Sequence, residues 1–421
     1  MIGDFKRFDM VRKPLTQRRW LTPVTWALSF PTKWKHCGKI EKRDMDGVKP
    51  PYLLLCNHNA FLDFMIMTTA IFPHRANYVV AIDGFIGIEW LLRKVGGIGT
   101  RKFTNSIQLV RNMAQMKDEG QIVVLFPEAR YSLCGTNAVL PDSIGKFIRL
   151  MDVPVVTLLM HGHHLASPFW GAEKHKVPRL HAEMRLLLTR EQTQEMSIEE
   201  INNRVRETIV YDDFAWQREN RIPVKSRERA NGLHKVLYQC PSCGTEYRMS
   251  SGGEELWCEH CGKRWKMTQL GELEAVSGET EFSHIPDWYE WERENVRREV
   301  LRGEYSLCVR ARVDSLPNAR GFIDLGAAEL THDMEGFTLR GSYGGEEYEE
   351  IWKAMSLYSC HIEYNYKKRK ADCVDLNTIT DTLYIYPEGR DFSVTKIALA
   401  TEELYKRAVE LKAAAEKRKD A

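Results

Sequence analysis

Tyr52-Leu53-Leu54-Leu55-Cys56-Asn57-His58-Asn59-Ala60-Phe61-Leu62-Asp63 decides how the first half of this chain reads. An apolar run of strand length ends at Cys56. A turn-forming Asn57-His58-Asn59 follows, and an apolar helix pattern opens with Asp63 near its start. A second passage is built alike: Ile122-Val123-Val124-Leu125 runs into Phe126-Pro127-Glu128. Both put ionisable groups at the end of a buried strand, where open α/β sheets keep their functional residues. Residues five apart on a continuous helix lie about 140° apart around its axis. His58 can therefore face Asp63 only from the turn before the helix. An imidazole held there can take a proton from an attacking alcohol while the carboxylate fixes its tautomer. Taken alone, that spacing is common by chance, and a surface histidine beside a first-turn carboxylate is the plainer reading.

Working outward, residues 37–225 alternate strand-like and helix-like runs. Tyr52–Cys56, Tyr78–Ile82, Ile122–Leu125, Val153–Met160 and Met184–Leu188 read as buried strands. Phe61–Ile71, Gly87–Val95, Asn105–Asp118 and Ser197–Val210 read as helices. Such alternation predicts an α/β domain, a mostly parallel sheet flanked by helices.

Four passages in this region form an ordered set: Asn57-His58-x4-Asp63, Gly96-Gly97-Ile98-Gly99-Thr100-Arg101, Phe126-Pro127-Glu128-Ala129-Arg130-Tyr131-Ser132, and Val153-Pro154-Val155-Val156. In order and spacing they resemble the four motifs of the glycerolipid acyltransferases, the lysophosphatidate acyltransferase-like superfamily. The resemblance covers residues 50–165. It implies an acyl thioester donor, from coenzyme A or acyl carrier protein, and a lysophospholipid acceptor such as 1-acylglycerol 3-phosphate. It implies His58 as general base, Asp63 as its partner and Glu128 as the residue placing the acceptor. Asn57 belongs to the first motif, Arg101 and Arg130 would hold the acceptor phosphate, and Pro154 would lie near the acyl chain. No catalytic cofactor is implied. The third motif departs from Phe-Pro-Glu-Gly-Thr-Arg-Ser: Ala129 replaces glycine and the arginine stands one residue early. One step along a turn swings a side chain to the opposite face. That leaves Arg130 on the phosphate or turned away with Tyr131 lining the pocket, and Lys102 is available to supply charge. A guanidinium suits a phosphate because its fork donates two parallel hydrogen bonds.

Cys240-Pro241-Ser242-Cys243-Gly244 and Cys258-Glu259-His260-Cys261-Gly262 are two knuckles of metal-site spacing. They predict a four-cysteine zinc ribbon over 234–268 holding a structural Zn2+, with a fold-stabilising or docking role. Nucleic-acid binding is a rival for such modules, but the formal net charge of the chain is only +2. His161-Gly162-His163-His164 reads as a polar pocket rim rather than a metal site. Gly96-Gly97-Ile98-Gly99 is too short for a dinucleotide fingerprint.

The remaining segments are read from composition and turns. Residues 1–36 are basic and aromatic, suiting a membrane interface or a helix packed on its own domain in equal measure. A linker helix is expected over 280–303. Residues 304–416 carry six strand candidates, Tyr305–Val313, Gly321–Leu325, Gly336–Arg340, Tyr358–Tyr364, Cys373–Leu376 and Thr382–Tyr386, then a helix over Thr401–Lys417. Strands with one closing helix suggest a small β-barrel of pleckstrin-homology-like shape. Lys367-Lys368-Arg369-Lys370 reads as a solvated loop first and a site for anionic lipid second. At 421 residues, 43% hydrophobic and 28% charged, the chain is globular and multidomain. Its start, Met1-Ile2-Gly3-Asp4-Phe5-Lys6, lacks a signal-peptide core, and no run has transmembrane length. The expectation is a cytoplasmic protein, peripheral on the inner face of a membrane. The alternative is a catalytically silent lipid-binding scaffold of the same fold.

Overall fold

The computed structural model describes residues 2–60, 62–171, 173–367 and 369–419. Phe61, the expected first residue of a helix, and Lys368, in the basic loop, lie outside the described residues.

The first sheet contains β1 (Cys37–Arg43), β2 (Leu53–Cys56), β3 (Ala76–Ala81), β4 (Gly97–Thr100), β5 (Ile122–Leu125), β6 (Val155–His161) and β7 (Leu180–Leu188). Their order is β1-β7-β6-β2-β5-β3-β4. The five strands from β6 to β4 run parallel. Beyond them β7 is antiparallel to β6 and parallel to β1. The expected parallel-rich α/β layer is present. Every residue of β2 is buried because it is covered on both faces. Leu54, Cys56, Val124 and Val156 pack on one side, and Leu53, Leu55, Val123 and Val155 on the other. That is the alternation a strand imposes.

A second, antiparallel sheet is formed by β8 (Met249–Gly252), β9 (Glu255–Cys258), β10 (Arg264–Met267) and β11 (Leu273–Ala275). The helix Ile285–Arg302 packs beside it, with Trp288 edge-on to Trp265 at 4.9 Å and donating to Gln239 O at 2.9 Å.

The third sheet holds β12 (Leu307–Ser315), β13 (Ile323–Asp333), β14 (Gly336–Tyr343), β15 (Glu346–Lys353), β16 (His361–Tyr366), β17 (Ala371–Asn377) and β18 (Thr382–Pro387). It is antiparallel throughout, in the order β15-β14-β13-β12-β18-β17-β16. Its end strands, β15 and β16, are not paired to each other. The helix Val394–Lys419 follows, starting ahead of Thr401 because Val394, Ile397, Ala398 and Leu399 give it a buried face.

Four strands escaped the sequence reading, β1, β4, β11 and β15. All four are sheet edges. In β1 and β15, Gly38-Lys39-Ile40-Glu41-Lys42-Arg43 and Glu346-Glu347-Tyr348-Glu349-Glu350 carry the charges that edge strands use against stray pairing, while β4 and β11 are short. β13 also runs well past the expected Leu325.

The N-terminal segment straps the first sheet to the third. Phe8 N donates to Pro317 O at 2.7 Å, and Arg7 pairs with Asp381 at 2.6 Å. Phe8 lies so close to β4 that a Cβ on Gly99 would sit 2.5 Å from its ring. Among the described residues no helix is long and apolar enough to cross a membrane.

Candidate functional site

β2 ends at Cys56 and the helix Leu62–Ala70 begins with Asp63 in its first turn, so the connecting turn carries His58 to the carboxyl end of the sheet. His58 Nδ1 lies 3.0 Å from Asp63 Oδ2. The same oxygen accepts from the backbone N–H of Asn59 at 2.7 Å and of Ala60 at 2.9 Å. The turn is thus wound around the carboxylate that orients its histidine. Nε2 is the ring nitrogen left for a proton transfer.

Asp63 has a second imidazole that the sequence reading did not assign. His163 Nδ1 lies 2.6 Å from Asp63 Oδ1, and both side chains are fully buried. Burial alone would raise the Asp63 carboxyl. The hydrogen bonds from His163 and His58 outweigh it and hold the group well below the usual carboxylate range. His163 is therefore not on a pocket rim. It is carried by a turn after β6 whose Gly162 has φ +80° and leaves no room for a Cβ, which would meet Trp216 at 2.6 Å. Asp213 clamps that turn, accepting from Gly162 N and His164 N at 2.9 Å each. Burial pushes its carboxyl up to about 7.

The third motif forms a wall of the site. The His58 ring stacks on Phe126 at 4.1 Å and lies against Tyr131 at 4.2 Å. Ser132 N donates to His58 O at 3.0 Å. Tyr131, in the place the resembled motif gives to arginine, lines the site. Ala129, in the place of its glycine, is held at φ 54°. Glu128 is fully buried and faces inward. Its Oε2 accepts from Ala138 N at 2.7 Å and from the Tyr211 hydroxyl at 3.1 Å. Burial raises its carboxyl to about 7. These contacts make Glu128 a brace for the loop that carries Tyr131.

Four further expected substrate residues are placed differently, and Lys102 with them. The Asn57 amide is spent on β6, donating to Met160 O at 2.9 Å and accepting from Met160 N at 2.8 Å. Pro154 precedes β6 at the amino end of the parallel strands, where its carbonyl accepts from Leu53 N at 3.0 Å, a strand's length from His58. Arg101 is buried against the third sheet. Nη1 donates to Leu316 O at 3.2 Å and Thr382 Oγ1 at 2.7 Å, and Nη2 to Pro317 O at 3.0 Å and Thr380 O at 2.8 Å. Arg130 is buried with Nη2 on Glu402 Oε1 at 2.7 Å. Lys102 stands 3.6 Å from Asp375. Burial would lower the Lys102 ammonium, but Asp375, Asp83 and Glu363 raise it. The sequence could not show the pairings of these three cations because each partner is more than two hundred residues away.

The four cysteines meet at the margin of the second sheet, with Cys258 ending β9. Cys240 Sγ and Cys261 Sγ are 3.8 Å apart, Cys243 Sγ and Cys258 Sγ 3.9 Å. All four sulfurs lie within 4.8 Å of one another. A zinc ion with bonds of about 2.3 Å to four thiolates requires a tetrahedron with edges of about 3.8 Å, so the donor set fits that ion.

Residues 38–161 match the family model described as Acyltransferase. Among solved structures, the chain is similar to the 1-acyl-sn-glycerophosphate (LPA) acyltransferase PlsC from Thermotoga maritima. The identity is 13%, the match covers 45% of this chain and 77% of that one, and the TM-score is 0.38. No curated protein matches the chain.

Proposed function

We propose that the acyltransferase domain at residues 38–161 moves a fatty acyl group from a thioester to the hydroxyl of a glycerolipid, with His58 as general base. The observation that carries the reading is the buried Asp63 gripping His58 Nδ1 at 3.0 Å in a domain of that family. The acceptor oxygen forms the ester bond as the carbon–sulfur bond breaks. Its proton passes to His58 Nε2 and from there to the departing thiolate. Asp63 stabilises the imidazolium that forms in between. His163 and the Asn59 and Ala60 amides keep that carboxylate ionised and fixed. The donor is acyl-coenzyme A or an acylated carrier protein.

The finer assignments follow the same reading. Cys240, Cys243, Cys258 and Cys261 hold a structural zinc ion, and the small sheet is a ribbon whose closed site supplies rigidity. Residues 304–416 form a pleckstrin-homology-like module. The protein works on a membrane surface through the helix Thr22–His36. Trp20 just ahead of it and Val24, Leu28 and Trp34 on it are exposed apolar residues, among basic residues and with no acidic residue between Met10 and Ile40.

The test is thiol release from acyl-coenzyme A and acylated carrier protein with a panel of glycerolipid alcohols, wild type beside His58→Ala. Removing a general base costs on the order of 10²–10⁴ in rate. Release that depends on acceptor and is lost in the variant is the expected outcome. Equal release by both proteins would remove His58 from the role. No release with any pair from a folded protein would favour the lipid-binding scaffold.

A further inference from the structure

We infer that the acceptor of this site is a lipid hydroxyl bearing no phosphate monoester, because the C-terminal domain has taken the cations that would hold one. The inference rests on the acyl-transfer reading and concerns only which alcohol is used.

Donor accounting is the first argument. A guanidinium has five N–H groups. The four on Arg101 Nη1 and Nη2 are all matched by acceptors of the third sheet and its connections, and Nε is buried without a partner. Arg130 gives Nη2 to Glu402, while its Nε and Nη1 are buried away from solvent without a hydrogen-bond partner. Glu402 fills the place of an anion. It accepts from Arg130 at 2.7 Å, Arg293 at 2.5 Å and Ser359 at 2.8 Å. Lys102 is answered by Asp375.

Permanence is the second. Arg101, Lys102 and Arg130, from two loops of the catalytic sheet, all end on the C-terminal domain. The strap of Arg7 and Phe8 ties the same two parts from another side. Asp381, which receives Arg7, also accepts from Ser315 Oγ at 2.8 Å. Exposing the arginines would break all of these contacts at once. The arrangement is that of a joint rather than a lid.

The surroundings of Tyr131 are the third. β16 reaches the site through Phe169, which lies 5.7 Å from Tyr131 and 6.2 Å from His361. Burial first, then the carboxylates Asp63, Glu363 and Asp83, push the Tyr131 hydroxyl well up. Lys102 and Lys367 face Asp83 and Glu363 in turn. A dianionic headgroup beside Tyr131 would find Arg101 and Lys102 engaged and the remaining donors of Arg130 buried.

The chemistry is unchanged. The hydroxyl oxygen of a neutral acceptor bonds to the acyl carbon, the thiolate leaves, and the hydroxyl proton reaches it by way of His58.

The experiment uses the full chain, an acyl-coenzyme A donor, and two acceptors of the same acyl chain, monoacylglycerol and 1-acylglycerol 3-phosphate. The expected kcat/KM favours monoacylglycerol by about tenfold or more. Glu402→Gln and Asp375→Asn, each checked by melting temperature, are expected to leave that preference in place. Faster transfer to the phosphate-bearing acceptor would overturn the inference while upholding acyl transfer. So would either folded variant that gains the phosphate-bearing acceptor, since the domain would then be a releasable lock. Should Glu402→Gln fail to fold, Asp375→Asn still decides. Release with neither acceptor would sink the acyl-transfer reading and this inference with it.

Discussion

Glu402→Gln tests the joint between the two large sheets most directly. The Glu402 carboxylate is fully buried. Burial would raise it, but the Arg130 and Arg293 guanidinium groups dominate and hold it down to about 2, from an ordinary 4.5. Each pH unit of that displacement is worth about 1.4 kcal/mol, so the ionised carboxylate contributes about 3 kcal/mol. The contribution is present above pH 4.5 and is lost as pH falls through about 2. A second route gives a similar size: breaking a buried ion pair by removing one partner costs about 3–5 kcal/mol. Arg293 keeps Glu290 at 3.0 Å and Glu403 at 3.6 Å, whereas Glu402 is the carboxylate paired with Arg130. The low end, about 3 kcal/mol, is therefore expected. The assay is urea unfolding followed by tryptophan fluorescence, at pH 7 and at steps down to pH 2. A chain with three sheets does not unfold in one step, so the first transition is the readout. The variant should lose about 3 kcal/mol at pH 7, and the gap should close towards pH 2. A loss under about 1 kcal/mol at pH 7, or a gap indifferent to acid, would refute the argument.

Other outcomes follow from single positions. Ala129 is strained at φ 54°, so Ala129→Gly should stabilise the chain by about 1 kcal/mol in the same urea assay. Glu128 is raised by burial to about 7 from 4.5, so its stabilising effect is full below pH 4.5 and lost as pH rises through about 7. Glu128→Gln should then gain up to about 3 kcal/mol over wild type at pH 8 and nothing at pH 4, read from paired melts. The four thiolates should release one zinc ion per chain to a strong chelator, measured with a metallochromic dye, and the melting temperature should fall as it leaves. Leu28, 61% exposed on the N-terminal helix, should be needed at the membrane surface, so Leu28→Glu should reduce flotation with anionic vesicles while melting normally.

The His58–Asp63 pair was legible because its parts are local. His58 and Asp63 are five residues apart, and a strand, a turn and a helix start suffice to bring them together. The cysteine knuckles were legible for a similar reason, since a Cys-x-x-Cys-Gly turn aims two thiols at one point. His163 was visible only as part of a histidine run after β6. Its assignment required knowing that β6 lies beside β2, which sets the turn after β6 next to the turn after β2. The edge strands β1 and β15 were missed because charge on an edge hides the apolar alternation that marks interior strands, and β4 and β11 because four and three residues are too few to show one.

What the sequence determined by itself is what near neighbours carry: an α/β layer from its apolar runs, a histidine held by an aspartate, and a four-thiol cluster. What only the tertiary structure decided is the occupation of long-range partners. Arg101, Lys102 and Arg130 have the composition of a phosphate site, and nothing in their own segments reveals otherwise. A cation takes whichever acceptors the fold brings within about 3 Å. Here those acceptors come from the C-terminal domain, at Leu316, Pro317, Asp375, Thr380, Thr382 and Glu402.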